Sequence, residues 1–133
     1  WYRLAANQGH ADAQNNLGGM YEDGDGIVEQ DESQALAWYR LAANQGFEYA
    51  QHSLGKMHAT GKGVEKNESE AFLWFCLAAQ QSHAHAQNEV VKCYFYGSGV
   101  NKNVELATYW RLMFGLKNDR KRHYRFGFGS KRK

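Results

Sequence analysis

The sequence contains no proline, so no position enforces a helix break and every turn must come from other residues. Its two cysteines, Cys76 and Cys93, are too few for a disulfide framework or a four-cysteine zinc site. No apolar run approaches the ~20 residues that a membrane-crossing helix needs. What is present excludes disorder: of 133 residues, 43% are hydrophobic and 14% aromatic, enough for one globular domain with its own core. Trp1 falls inside a helical pattern, so the chain reads as a piece of a longer protein. The lack of a leader sequence therefore says nothing about compartment.

Internal repetition dominates the rest. WYRLAANQG at residues 1–9 returns at 38–46, a shift of 37, and WFCLAAQQS follows at 74–82, a shift of 36. A divergent copy, YWRLMFGLK, begins at Tyr109. In the same register stand Ala13-Gln14, Ala50-Gln51 and Ala86-Gln87; then Leu17, Leu54 and Val90; then the pairs Gly24/Gly26, Gly61/Gly63 and Gly97/Gly99. One extra residue near Ile27 accounts for the longer first spacing.

This register decides how to read YEDGDGIVEQDE at residues 21–32. Against a calcium-loop template, Asp23, Asp25, Gly26 and Glu32 fall on ligand and turn positions, with Tyr21 wrong at the first. The aligned loops, HATGKGVEKNES and YFYGSGVNKNVE, keep the glycines and lose the acids. What recurs is a backbone requirement, positive φ at a helix end, and the stretch reads as a helix-to-helix turn.

Ala35, Trp38, Tyr39, Ala42 and Ala43 lie at i, i+3, i+4, i+7 and i+8, one face of a helix. Four residues before Ala35, Ala71 and Ala107 stand Asp31, Asn67 and Asn103, good N-caps, and Gln34 and Glu70 complete a capping-box pattern in two of them. Gly9 and Gly46 stop these first helices at C′, with Ser82 a weaker substitute. Second helices are expected over residues 11–23, 48–60 and 84–96, and a last first helix from about Val104. The expected fold is all-α: a right-handed α/α superhelical solenoid of antiparallel helix hairpins, about seven helices, each hairpin burying its open face on the next. The array should occupy residues 1–116, as a partial copy 1–30, copies 31–66 and 67–102, and a terminal helix 103–116. A basic, flexible tail should follow at 117–133.

The pattern A-x-x-W-Y-x-x-A-A-x-x-G-x-x-x-A-Q-x-x-L-G-x-M-Y-x-x-G-x-G resembles the Sel-1-like repeat, a relative of the tetratricopeptide repeat. Ala35, Trp38, Tyr39, Ala42, Ala43, Gly46, Ala50, Gln51, Leu54, Gly55, Met57, Gly61 and Gly63 carry it in one copy. The third copy departs at Val91 and Ser82, which puts close helix packing there in question. The resemblance implies a scaffold or adaptor that holds other proteins, with no catalytic residue, metal or cofactor to transfer. Bacterial members act in export, envelope or host-interaction pathways and eukaryotic ones in membrane-protein quality control; an exported or host-directed setting is the implication if the source is bacterial.

Other motifs are weaker. Ser53-Leu54-Gly55-Lys56 spells S-x-x-K without the S-D-N and K-T-G that such nucleophile sites need, so Ser53 is expected to face solvent. Thr60-Gly61-Lys62-Gly63 lacks phosphate-loop spacing. His83 and His85, two apart at a helix start, should point apart as surface histidines. Asn67-Glu68-Ser69 is a glycosylation sequon whose asparagine already serves as a cap.

Two candidate sites remain. Once the core face is assigned, Ala37, Arg40, Leu41 and Asn44 face outward, as do Arg3 and Leu4 in the preceding copy and Leu73, Cys76 and Leu77 in the next. A leucine at an outward position in three copies (Leu4, Leu41, Leu77) either packs on the neighbouring hairpin or forms an apolar groove on the concave face. Arg3, Arg40 and Arg111 would flank that groove, which suits a peptide or protein partner. The alternative site is the tail, where Lys117, Arg120, Lys121, Arg122, Arg125, Lys131, Arg132 and Lys133 against Asp119 give +7, while the remaining residues, with 8 Lys/Arg and 13 acids, carry −5. Such a tail is either a solvated terminus that folds back on the acidic body or, with Tyr124, Phe126 and Phe128 interleaved among the charges, a contact for an acidic partner, anionic lipid or RNA.

Overall fold

The computed structural model describes residues 2–115, which form seven α-helices and, among the described residues, no strand. These are α1 (Tyr2–Asn7), α2 (Ala11–Asp23), α3 (Glu32–Asn44), α4 (Glu48–Thr60), α5 (Glu68–Gln80), α6 (Ala84–Tyr96) and α7 (Val104–Phe114). Each packs on the next in chain order, the arrangement of an α/α solenoid. The odd-numbered helices are the first helices of the repeat and the even-numbered ones the second. No described helix is long and apolar enough to cross a membrane.

Local chemistry sets the boundaries. Asp31, Asn67 and Asn103 are extended, and their side-chain oxygens accept from the N–H groups of Gln34, Glu70 and Leu106 at 3.1, 3.0 and 2.9 Å. The returning half of the expected capping box is not made. The N–H of each cap donates instead to a carbonyl of the preceding second helix, on Tyr21, His58 and Tyr94, at 2.8, 2.8 and 2.7 Å. Glu70, freed from that role, accepts from the Trp74 indole at 3.2 Å. Gly9 and Gly46 leave their helices at φ 90°, and Ser82 is forced to φ 68°, alone among the described non-glycine residues. In the next loops the second glycine is also a contact surface: a Cβ on Gly63 would lie 2.6 Å from the Glu32 carbonyl oxygen, and Gly99 sits against Glu68 in the same way.

The core is a chain of small clusters, one per hairpin, joined by aromatic rings. Gly18 and Gly55 lie against the rings of Tyr39 and Phe75, where a Cβ would come within 2.8 and 2.7 Å. At the third junction Val91 takes the glycine's place and is buried with Ala107, with Trp110 packed over them. The packing there is therefore rebuilt around a different ring. Within α3, Ala35, Tyr39, Ala42 and Ala43 are buried as the periodicity requires. Two assignments differ. Trp38 is only half-buried, because its ring leans on the preceding cluster of Ala6, Ala13 and Leu17. Leu36, absent from the periodic set, is buried, because the helix is covered on two sides and its apolar arc is wider than one stripe.

The repeated Ala-Gln column has a role that alignment alone does not show. Gln14, Gln51 and Gln87 turn their Nε2 groups onto the carbonyls of Ala6, Ala43 and Ala79, at 3.1, 3.3 and 3.3 Å, near the ends of the first helices. Gln45 and Gln81 of the following hairpins then donate to Gln14 and Gln51 at 2.8 and 2.9 Å. Buried amides thus satisfy helix-end carbonyls and link each hairpin to its neighbour.

Candidate protein-interaction site

The outward leucines are not core. Leu4, Leu41 and Leu77 are 64%, 48% and 43% exposed, and Leu112, in the same column of the divergent copy, is 70% exposed. Leu73 adds a fifth exposed side chain one turn before Leu77. Ala37, Arg40 and Asn44 are exposed beside Leu41, and Cys76 is half-buried beside Leu77. Sequence reasoning named four of these five leucines and missed Leu112, although YWRLMFGLK places it in register.

The flanking arginines behave differently from one another. Arg3 does not simply line the face: its guanidinium donates to the Tyr21 hydroxyl at 2.6 Å and lies 5.9 Å from that ring's centroid. Arg40 stands near His58, whose imidazole is held below its ordinary range by burial, with Arg40 adding to the effect. Arg111 is half-buried and borders a separate cavity with Glu89, Lys92 and Phe95. In each repeat the arginine column faces the column Tyr21, His58, Tyr94 on the following second helix. Between α5, α6 and α7, where Cys76 replaces the arginine, an apolar cavity of about 140 Å³ opens.

The histidines depart from expectation. His83 is buried, and its ring lies 5.9 Å from that of His85; both pack on His52, at 4.9 and 5.9 Å between centroids. His52 comes from α4, 31 residues before His83, so local spacing gave no sign of it. Burial and the neighbouring His83, Lys56 and His85 push the His52 imidazole down to about 4, so its 4.0 Å approach to Glu89 is not an ion pair at neutral pH. Among the described residues no group of three or more His, Cys, Asp or Glu side chains is arranged to hold a metal. Asp25 is occupied by its own turn, accepting from the N–H groups of Ile27 and Val28 at 3.0 and 3.3 Å.

Ser53 is half-buried beside the Tyr39 hydroxyl, not solvent-facing, because Tyr39 reaches across to donate to Glu22 at 2.7 Å. Cys76 and Cys93 are free and share one apolar cluster. The tail residues Arg120, Lys121, Arg122, Arg125, Lys131, Arg132 and Lys133 lie outside the described residues.

The comparisons with known proteins agree with this geometry. The Sel1 repeat family model matches residues 1–10, 11–47, 48–83 and 84–110, pairing each second helix with the following first helix. The chain is similar to c5321, described as a protective antigen present in uropathogenic Escherichia coli strains and displaying an SLR fold. They share 38% identity at a TM-score of 0.84, over 88% of this chain and 25% of that one. It is also similar to a Sel1 repeat protein from Oxalobacter formigenes, 40% identical at a TM-score of 0.73, over 77% of this chain and 42% of the other. This chain thus spans less than half the length of either. No curated protein matches it. A 36-residue register, capped hairpins stacked in chain order and a family match running from residue 1 to residue 110 place the chain in the Sel1 repeat family.

Proposed function

We propose that this array is a non-catalytic scaffold that binds a peptide or protein segment along the concave face formed by its first helices. Sel1 repeat proteins generally mediate protein–protein interaction. The supporting observation is the leucine column: Leu4, Leu41, Leu77 and Leu112 recur at one position of successive first helices and stay exposed. Isolated surface leucines are ordinary, whereas a column repeated with the register offers regularly placed apolar side chains that a partner can cover. The strip fits an amphipathic helix or an extended segment with apolar side chains at regular spacing.

The test is capture. The wild-type chain is immobilised, bound proteins from cells of its source are identified by mass spectrometry, and the leading one is purified and titrated. The expected result is saturable binding that is lost in Leu41→Asp/Leu77→Asp while helix content is unchanged. Binding that survives the double substitution would place the partner elsewhere. Binding that instead falls steeply with salt, and is lost when the tail arginines and lysines are neutralised, would favour the basic tail.

A further inference from the structure

The strip has one irregularity, and it is a cavity. In the first copy the arginine at this column, Arg3, lies over Tyr21 and donates to its hydroxyl at 2.6 Å. In the third copy the tyrosine is present as Tyr94, but the arginine is replaced by Cys76, whose side chain ends at Sγ. The described residues leave the space between α5, α6 and α7 open. It measures about 140 Å³ and is bounded by Cys76, Gln80, Val90, Tyr94, Trp110 and Phe114. That is the share of roughly five water molecules, room for a guanidinium and the end of its stem. Tyr94, Trp110 and Phe114 put three aromatic side chains in its lining, with the Trp110 and Phe114 rings stacked 5.4 Å apart. Among the described residues no charged side chain lines the cavity, and Gln80 brings a side-chain amide to its lining.

We infer that this cavity takes an arginine side chain from a basic segment of a partner protein, seated as Arg3 is seated on Tyr21. Three observations converge. In the first copy an exposed arginine lies on the tyrosine of this column, a pairing that Cys76 leaves unmade in the third. Three aromatic side chains line one small space, and a guanidinium that reaches a ring face there gains a cation–π contact. The array is also acidic, with 13 Asp and Glu against 8 Lys and Arg over residues 1–116, so a basic segment is the charge-complementary partner. Cys76 and Gln80 lie on the same face of α5 as Leu73 and Leu77, so the arginine enters beside the leucine strip. The inference rests on the proposed use of that strip and adds the chemistry of the partner.

The experiment uses the full chain and three capped pentapeptides of sequence Leu-Ala-X-Ala-Leu, with X arginine, lysine or norleucine. Binding is followed by the Trp110 indole N–H in two-dimensional NMR. The arginine peptide should shift that resonance saturably and bind about tenfold tighter than the norleucine peptide, the value of one cation–π contact with a hydrogen bond. Cys76→Arg should abolish the response by filling the cavity from within, and it should fold normally because Arg3 and Arg40 occupy the equivalent positions. Equal affinity of the norleucine peptide, or undiminished binding to Cys76→Arg, would overturn the inference. So would binding that appears only when Arg120, Lys121, Arg122 and Arg125 are changed to serine, since the chain's own tail would then be the occupant. A purified partner that is lost on Leu41→Asp but retained on Cys76→Arg would overturn the cavity assignment and leave the protein-binding reading standing.

Discussion

Gln45 Nε2 donates to Gln14 Oε1 at 2.8 Å, across 31 residues of sequence, and Gln81 repeats the bond to Gln51 at 2.9 Å. Each accepting glutamine also donates to the carbonyl of an alanine near the end of the preceding first helix. A solenoid has no central core, so its cohesion is the sum of such neighbour contacts. Gln51→Ala removes both bonds of the central rung, the one to the Ala43 carbonyl and the one from Gln81. Urea unfolding should show a loss of about 2 kcal/mol, the net value of two hydrogen bonds at about 1 kcal/mol each. A change under about 0.5 kcal/mol would mean the ladder is ornamental.

Ser82 offers a gain. It holds φ 68° where Gly9 and Gly46 hold 90°, a region that costs an L-residue roughly 1 kcal/mol or more. Ser82→Gly should raise stability by about 1 kcal/mol, read from the shift of the urea midpoint at constant slope. An unchanged or lowered midpoint would show that the seryl side chain compensates its own strain.

Acid should weaken the second junction. His52 is held at about 4 in the fold, against an ordinary value near 6.5 for a free imidazole. A lowered histidine contributes stability that is complete above the unfolded value and is lost as pH falls from about 6.5 towards 4. Burial also lowers His83, so it adds in the same direction. The thermal midpoint should therefore fall over that interval. His52→Asn, which copies Asn15 and Asn88 of the other repeats, should flatten the dependence. A profile equally steep in the variant would assign the acid sensitivity to other groups.

The thiols should behave as core groups. Burial raises both, Cys93 to about 12, and Cys93 is the more enclosed. Alkylation of the native protein at pH 8 should be slow, slower at Cys93 than at Cys76. In denaturant without reductant, two thiols should titrate; a count of zero would contradict the unbonded assignment.

The features readable from the sequence are those whose partners are close along the chain. Asp31, Asn67 and Asn103 cap groups three residues away, and Gly46 turns a helix that ends two residues earlier, so residue type and spacing were enough. The repeat register supplied the rest of the fold, because each copy constrains the reading of the others. Three features required distant partners and were not legible. The glutamines aligned without revealing that they bond across hairpins. His83 gave no hint of His52, and Arg3 read as an outward charge until Tyr21 was seen beneath it. The leucine strip lay between these cases. Its periodicity was visible, but whether it faced solvent or a neighbouring hairpin depended on how far successive first helices stand apart.

The central claim is that this strip is surface held for a partner, and Leu41→Asp tests it without knowledge of that partner. Leu41 is 48% exposed, so an aspartate there should remain hydrated. Urea unfolding of the variant should give a stability within about 0.5 kcal/mol of the wild type, as for a surface substitution. A loss of several kcal/mol, the cost of burying an unpaired charge, would show that Leu41 is core and would contradict the account.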